Sequence, residues 1–424
     1  MSAATCAPSP AHPSPQRYAL RRWLVLLAGC AIQTTLGGVY AWSTFVPYLH
    51  REHGLSNGQS GLIFGVTFLT FTLTMVGAGW VLQRYGPRLT AAIAAVLFLS
   101  GYVLASFSGG SFAILFFGIA VVTGAGIGFG YVVPLTVCMK WFPERKGLIS
   151  GVVVAGFGAG AILLSTIAEW ALSNGVPILT LFMWLGLICG AIVFLAALVL
   201  SNPPDAGTRP AGQPQHLMRA LWSWPFQVTV VGIFCGTFAG LLIIGNLTPL
   251  VMEAGLSEAQ AAIGVAAFAV GNGLGRIVWG RLFDLITYRC IPLSLLLLGV
   301  ASAPLLVVSD SMAIYVTVVA VAFFFGANFV LYASALSRHF GTDAFPRLYP
   351  LCFLAYGVAG LIAPGLGGFI ADLTGSFFVP VVMCMVVLAL GTIVTAVKIS
   401  CFSPAVAGHQ LANRLSGRLV PSTS

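Results

Sequence analysis

The sequence predicts an all-α membrane protein of twelve transmembrane helices in two six-helix halves, with both termini in the cytoplasm. Three observations carry this. Of 424 residues, 58% are hydrophobic and only 7% charged, against about 25% charged in a soluble domain. The apolar runs are long enough for a bilayer, whose hydrocarbon core takes roughly 20 residues of helix. Basic residues gather on alternate connections, as they do when they are retained on the cytoplasmic side during insertion.

Breaks at charges, prolines and glycine clusters place spans 1 to 6 at 23–48, 60–83, 88–107, 111–139, 148–170 and 177–200. Spans 7 to 12 fall at 226–251, 260–283, 291–308, 312–338, 348–371 and 377–399. The domain reading is a disordered cytoplasmic tail over 1–22, one half over 23–200, a cytoplasmic linker over 201–224, a second half over 225–399 and a tail over 400–424. No cleavage-site pattern follows the first apolar run, so it reads as a retained helix rather than a signal peptide. Arg17, Arg21, Arg22, Arg84, Arg88, Lys140, Arg145, Lys146, Arg281, Arg289, Arg338, Arg347 and Lys398 fall on one side, and Arg51 alone on the other. Topology thus explains the net charge of +9, and no nucleic-acid partner is inferred from it. The nine cysteines include no Cys-x-x-Cys pair and read as small packing residues, without a disulfide frame or metal site.

The halves repeat. Gly79, Arg84, Gly86 and Arg88 follow span 2, and Gly280, Asp284 and Arg289 follow span 8. Such duplication marks secondary transporters whose site lies between repeats near the bilayer midplane. Both segments resemble the loop motif of the major facilitator superfamily, Gly-x-x-x-Asp-Arg-x-Gly-Arg-Arg. The first departs from it, with Gln83 in place of the acid and Pro87 in place of an arginine, while the second keeps Asp284.

Arg276 is the most informative residue. It sits in span 8, two turns before Asp284, which puts it about 12 Å inside the helix end. A charge at that depth costs several kcal/mol unless it meets a cavity or a partner, and every carboxylate of the chain falls in a loop or at a helix end. Two readings stand: Arg276 snorkels to the surface or pairs with Asp284, or its planar head binds a carboxylate substrate.

A second signal lies between spans 4 and 5, Lys140-Trp141-Phe142-Pro143-Glu144-Arg145-Lys146-Gly147, answered in the second half by His339-Phe340-Gly341-Thr342. With Gly37-Gly38-Val39-Tyr40-Ala41-Trp42-Ser43 in span 1, these segments resemble the oxalate:formate antiporter family within the major facilitator superfamily, from about Trp23 to Lys398. The resemblance implies that Arg276 binds the substrate, with Tyr131, Tyr40 and Trp42 around it. Where the family has a lysine on span 11 for a second carboxylate, this chain has Tyr356. Phe157, Phe325, Phe329 and Phe353 stand for hydroxyl- or indole-bearing aromatics, and Gly61 for a glutamine. One cation and several polar donors are missing, so a single carboxylate packed against phenylalanine fits better than oxalate. Each of these aromatics also has an ordinary reading as a helix-packing residue.

Glycine runs at 124–130, 156–160, 271–275 and 365–368 lie inside spans with no strand before them, so helix packing explains them rather than nucleotide binding. Neither a phosphate-binding loop nor a nucleophile with its base is found, so no enzyme and no cofactor are expected. No span holds a central Asp, Glu or His, which favours exchange of one anion for another. The expectation is a secondary carrier of a small organic anion, a monocarboxylate, lodged in the inner membrane and working as a monomer. Proton-coupled monocarboxylate symport, multidrug export and a transporter-like sensor are the alternatives.

Overall fold

Each half begins its second span with the same device. Ser56 and Ser257 accept from the backbone N–H of Gln59 and Gln260, whose side chains bond back to the serine N–H, forming reciprocal capping boxes. The computed structural model describes residues 15–204, 214–308 and 310–402. Parts of both predicted tails and of the linker lie outside the described residues.

In the first half the helices are α1 (Pro15–Gly37), α2 (Trp42–His53), α3 (Asn57–Tyr85), α4 (Pro87–Ser106), α5 (Phe112–Leu115), α6 (Gly124–Trp141), α7 (Lys146–Ser173) and α8 (Ile178–Val199). A short α9 (Pro214–Leu221) lies in the linker. The second half holds α10 (Trp224–Gly245), α11 (Leu247–Glu253), α12 (Glu258–Ile286), α13 (Cys290–Ser302), α14 (Ser311–Gly326), α15 (Leu331–Phe340), α16 (Phe345–Thr374) and α17 (Phe378–Val397). No strand occurs among the described residues.

Eleven stretches are long and apolar enough to cross a membrane. The longest, Ile263–Leu306, contains α13 and most of α12. These two meet at Thr287, the one non-glycine residue with positive φ (56°) among those described. At the matching corner between α3 and α4 stands Gly86, with φ 84°. Glycine takes this conformation freely, whereas a branched residue is strained there.

Two boundaries differ from the sequence reading. Helix α1 starts at Pro15 rather than near 23, because its arginine-bearing turns pack on the bundle end. Tyr18 lies against Trp141 at 5.1 Å, and the Arg22 guanidinium sits 3.9 Å from the Phe142 ring centre. The linker contains α9, which rests Leu217, Ala220 and Leu221 on the core.

Packing repeats the duplication. Within the first half α4 pairs with α8, α1 with α7 and α3 with α6; within the second, α13 pairs with α17, α10 with α16 and α12 with α14. Glu52 accepts from Ile178 N–H at the start of α8, and Glu253 accepts from Phe377 N–H beside the start of α17, each satisfying an amide that the helix leaves unpaired. Between the halves α3 meets α16 and α7 meets α12. The outer surface carries exposed Leu27, Leu195, Val300 and Leu361, a solvent face for lipid rather than water.

Candidate functional site

Arg276 is 3% exposed and lies on α12 where that helix faces α7 of the other half. Its Nε donates to Asn272 Oδ1 at 2.7 Å, one turn back on the same helix, and its Nη1 donates to the Val154 carbonyl of α7 at 2.6 Å. The guanidinium carbon is 4.4 Å from the centre of the Phe329 ring. Gly158 of α7 lies beside the head, where a Cβ would sit in van der Waals contact 3.6 Å from Nη1. Asp284, the acid nearest in sequence, is occupied elsewhere, accepting from Gly147 and Leu148 N–H at 2.9 Å each. The snorkelling and Asp284-pairing readings therefore do not hold. Arg276 makes no ion pair among the described residues.

Phe329, the ring over this cation, belongs to an aromatic cage at the seam of the halves. Tyr356 packs on Phe329 at 5.5 Å and Phe353 at 4.8 Å. Its hydroxyl shares a 3.0 Å hydrogen bond with that of Tyr40 across the seam. Tyr131 stacks on Phe353 at 5.3 Å and meets Phe157 edge-on at 5.3 Å. Tyr349 packs on the other side of the cluster, its ring 5.3 Å from that of Phe353.

Of the residues named from sequence, Arg276, Tyr356, Tyr131, Tyr40, Phe329, Phe353 and Phe157 are brought together. Phe325 stands behind Phe329 at 5.2 Å. Trp42 is directed elsewhere: its Nε1 donates to the Ser60 carbonyl, and it lines a small cavity inside the first half with Val39, Phe45, Phe64 and Thr67. Four residues join the site without having been singled out in the sequence: Phe68, 6.1 Å from Tyr356, Phe71, 5.1 Å from Tyr131, Tyr349 and Asn272. The first three carry no charge and sit in apolar helices rich in phenylalanine or tyrosine. Asn272 had a usable signal, a polar side chain one helical turn from the arginine.

The two ends of the seam differ. At the basic end, where Lys140, Arg145, Arg281 and Arg338 cluster, the halves touch. A Cβ on Gly280 would collide with the Gly147 carbonyl, and one on Gly79 with the Pro346 carbonyl. Lys140 pairs with Asp343 at 3.0 Å, and Gln83 donates to the Asp343 backbone carbonyl, so the first loop motif, lacking its acid, is held through the other half. Ser150 and Ser334 share a 2.8 Å bond across the seam. Arg84 stacks on Trp80 and Tyr85, while Arg88 donates to the Leu200 carbonyl at 3.0 Å.

Away from that end the close backbone contacts give way to ring contacts, such as Phe68 with Tyr356 at 6.1 Å. Thr72 still touches Gly357, whereas Gly65, two turns away on α3, and Gly365, further along α16, have nothing within 4 Å of a Cβ. Tyr40 and Phe68 are only half-buried. The close glycine contacts between the halves thus gather towards the basic end.

The Major Facilitator Superfamily model matches residues 27–263 and 229–405. An MFS-type transporter of Escherichia coli K12, YhjX, is 27% identical over 354 residues, covering 82% of this chain and 88% of its own. The oxalate:formate antiporter of Oxalobacter formigenes is 26% identical over 386 residues, covering 88% and 91%. Monocarboxylate transporter 13 of Bos taurus is 25% identical over 330 residues, covering 76% of each. In structure, the E. coli transporter FucP in its outward conformation aligns with a TM-score of 0.71 at 15% identity, over 89% of this chain and 99% of that one, a likeness of fold.

Proposed function

The chain belongs to the major facilitator superfamily, a multi-pass membrane transporter family, and from that premise we propose that it carries a small organic anion, a monocarboxylate, by alternating access of its two halves. One observation carries the reading: Arg276 is a buried cation at the seam with no acid paired to it among the described residues. A full charge in such a place is costly without a counter-charge, and a substrate carboxylate supplies one. The apolar cage of Phe329, Phe353 and Phe157 suits a small or weakly polar remainder, and Tyr356 in place of a second cation disfavours a dicarboxylate. The carboxylate-carrying relatives agree with this chemistry.

In this reading the chain has twelve spans, since α12 and α13 cross separately. The basic end and both termini face the cytoplasm, and the membrane is the inner one. The arrangement described above is then outward-facing, with its cytoplasmic gate closed by the Asp284 cap and the Gly147–Gly280 contact. Exchange follows from the charge. An empty carrier must reorient with Arg276 satisfied only by neutral oxygens, whereas a bound anion cancels the charge first.

Uptake of labelled acetate, pyruvate and lactate into proteoliposomes, with and without anion inside, tests this. Arg276→Ala is expected to lose at least 100-fold in uptake, the equivalent of about 3 kcal/mol for removing one member of a buried ion pair. Undiminished uptake in that variant would refute the site. Uptake driven by a pH gradient alone, with no internal anion, would replace exchange by proton symport.

A further inference from the structure

Resting on the anion-carrier reading, we infer that Asn272 is the positioning residue that decides which end of Arg276 meets the substrate. A guanidinium has five N–H donors and offers a carboxylate two bidentate edges, one built on Nε and one on the two terminal nitrogens. Here the Asn272 carbonyl oxygen, 2.7 Å away, holds Nε. That closes the first edge to any anion. Val154 takes one proton of Nη1, so the three remaining N–H groups all belong to Nη1 and Nη2. One face of the head is covered by the Phe329 ring at 4.4 Å. What is left to bind an anion is the terminal end.

The two holds differ in kind. Asn272 and Arg276 are one turn apart on α12, so their bond travels with the helix as a rigid body and persists whichever way the halves tilt. The Val154 bond crosses the seam, and it breaks when α7 and α12 separate. Asn272 thus keeps the arginine aimed throughout the cycle. Because it is an amide it does so without neutralising the charge. An acid of the same shape would supply an internal counter-ion at the position where the amide now only accepts.

This yields opposite expectations for two substitutions of similar bulk. Asn272→Asp preserves shape and fold and places a carboxylate against Nε. Its thermal midpoint is expected at or above that of wild type, while acetate, pyruvate and lactate uptake falls at least 50-fold. Asn272→Leu removes the hold and leaves the charge unneutralised. Its KM is expected to rise about tenfold, the worth of a hydrogen bond to a charged group, with maximal rate within twofold of wild type.

Both variants, wild type and Arg276→Ala are measured side by side in proteoliposomes. If Arg276→Ala is inactive but both Asn272 variants keep a wild-type KM, the inference is overturned and the carrier reading stands. Wild type that moves none of the three acids, or Arg276→Ala that moves them normally, overturns the carrier reading itself. Should Asn272→Leu not fold, the near-isosteric Asn272→Asp decides alone.

Discussion

Replacing Asp284 with alanine removes a carboxylate that bonds two amides of the other half, Gly147 and Leu148 N–H, each at 2.9 Å. These amides belong to the first turn of α7, where the helix leaves N–H groups unpaired and concentrates roughly half a positive charge. An anion in a partly buried position there contributes up to about 2 kcal/mol. Because the bond crosses the seam, it exists only while the basic end is closed, so its whole value bears on the balance between closed and open. At 1.4 kcal/mol per tenfold, about 2 kcal/mol is a shift of roughly 30-fold towards the open form. Spin labels on Glu144 and Arg289, both exposed and on opposite halves at this end, report the separation by double electron–electron resonance. Asp284→Ala is expected to convert a narrow short distance into a distribution with a prominent longer component. An unchanged distribution would mean that the cap contributes nothing to closure and that the glycine contacts hold the gate alone.

Two further substitutions probe the corner and the cage. Thr287→Gly relieves a branched residue at φ 56°, a strain of about 1–3 kcal/mol, and is expected to raise the thermal midpoint without changing uptake. A lowered midpoint would show that Thr287 is held by packing that outweighs its backbone strain. Tyr356→Lys puts a second cation beside Arg276 in place of a hydroxyl that bonds Tyr40 at 3.0 Å. Oxalate binding is expected to strengthen at least tenfold, from about 1.5–3 kcal/mol per charge-assisted hydrogen bond, and acetate binding to weaken. Isothermal titration on purified protein reads both, and oxalate affinity at the wild-type level would count against the one-cation site.

Much was legible because a bilayer constrains a chain more simply than water does. Span lengths follow from hydrocarbon thickness, and each span must satisfy its backbone internally, so apolar length alone locates helices. The duplication was visible in the Gly79 and Gly280 segments and reappears in the paired capping boxes at Ser56 and Ser257. Arg276 stood out because a charge deep in a span is expensive and therefore rare. By contrast, α1 began earlier than read because arginines that looked like a loop pack on Phe142 and Ser201. That contact joins residues far apart in the chain.

By itself the sequence determined the membrane class, the span positions to within a few residues for most helices, the internal repeat and the arginine deep in span 8. Only the tertiary structure decided the cation's partners. Asn272 and the Val154 carbonyl hold it, while Asp284 is spent on α7. It also separated the caged aromatics from Trp42, which lines a small cavity inside the first half, and gathered the close glycine contacts of the seam at the basic end. The physical reason is locality. Hydropathy and charge act on each segment against the bilayer and can be read one span at a time, whereas which donor meets which acceptor depends on how two halves, each complete in itself, are set against one another.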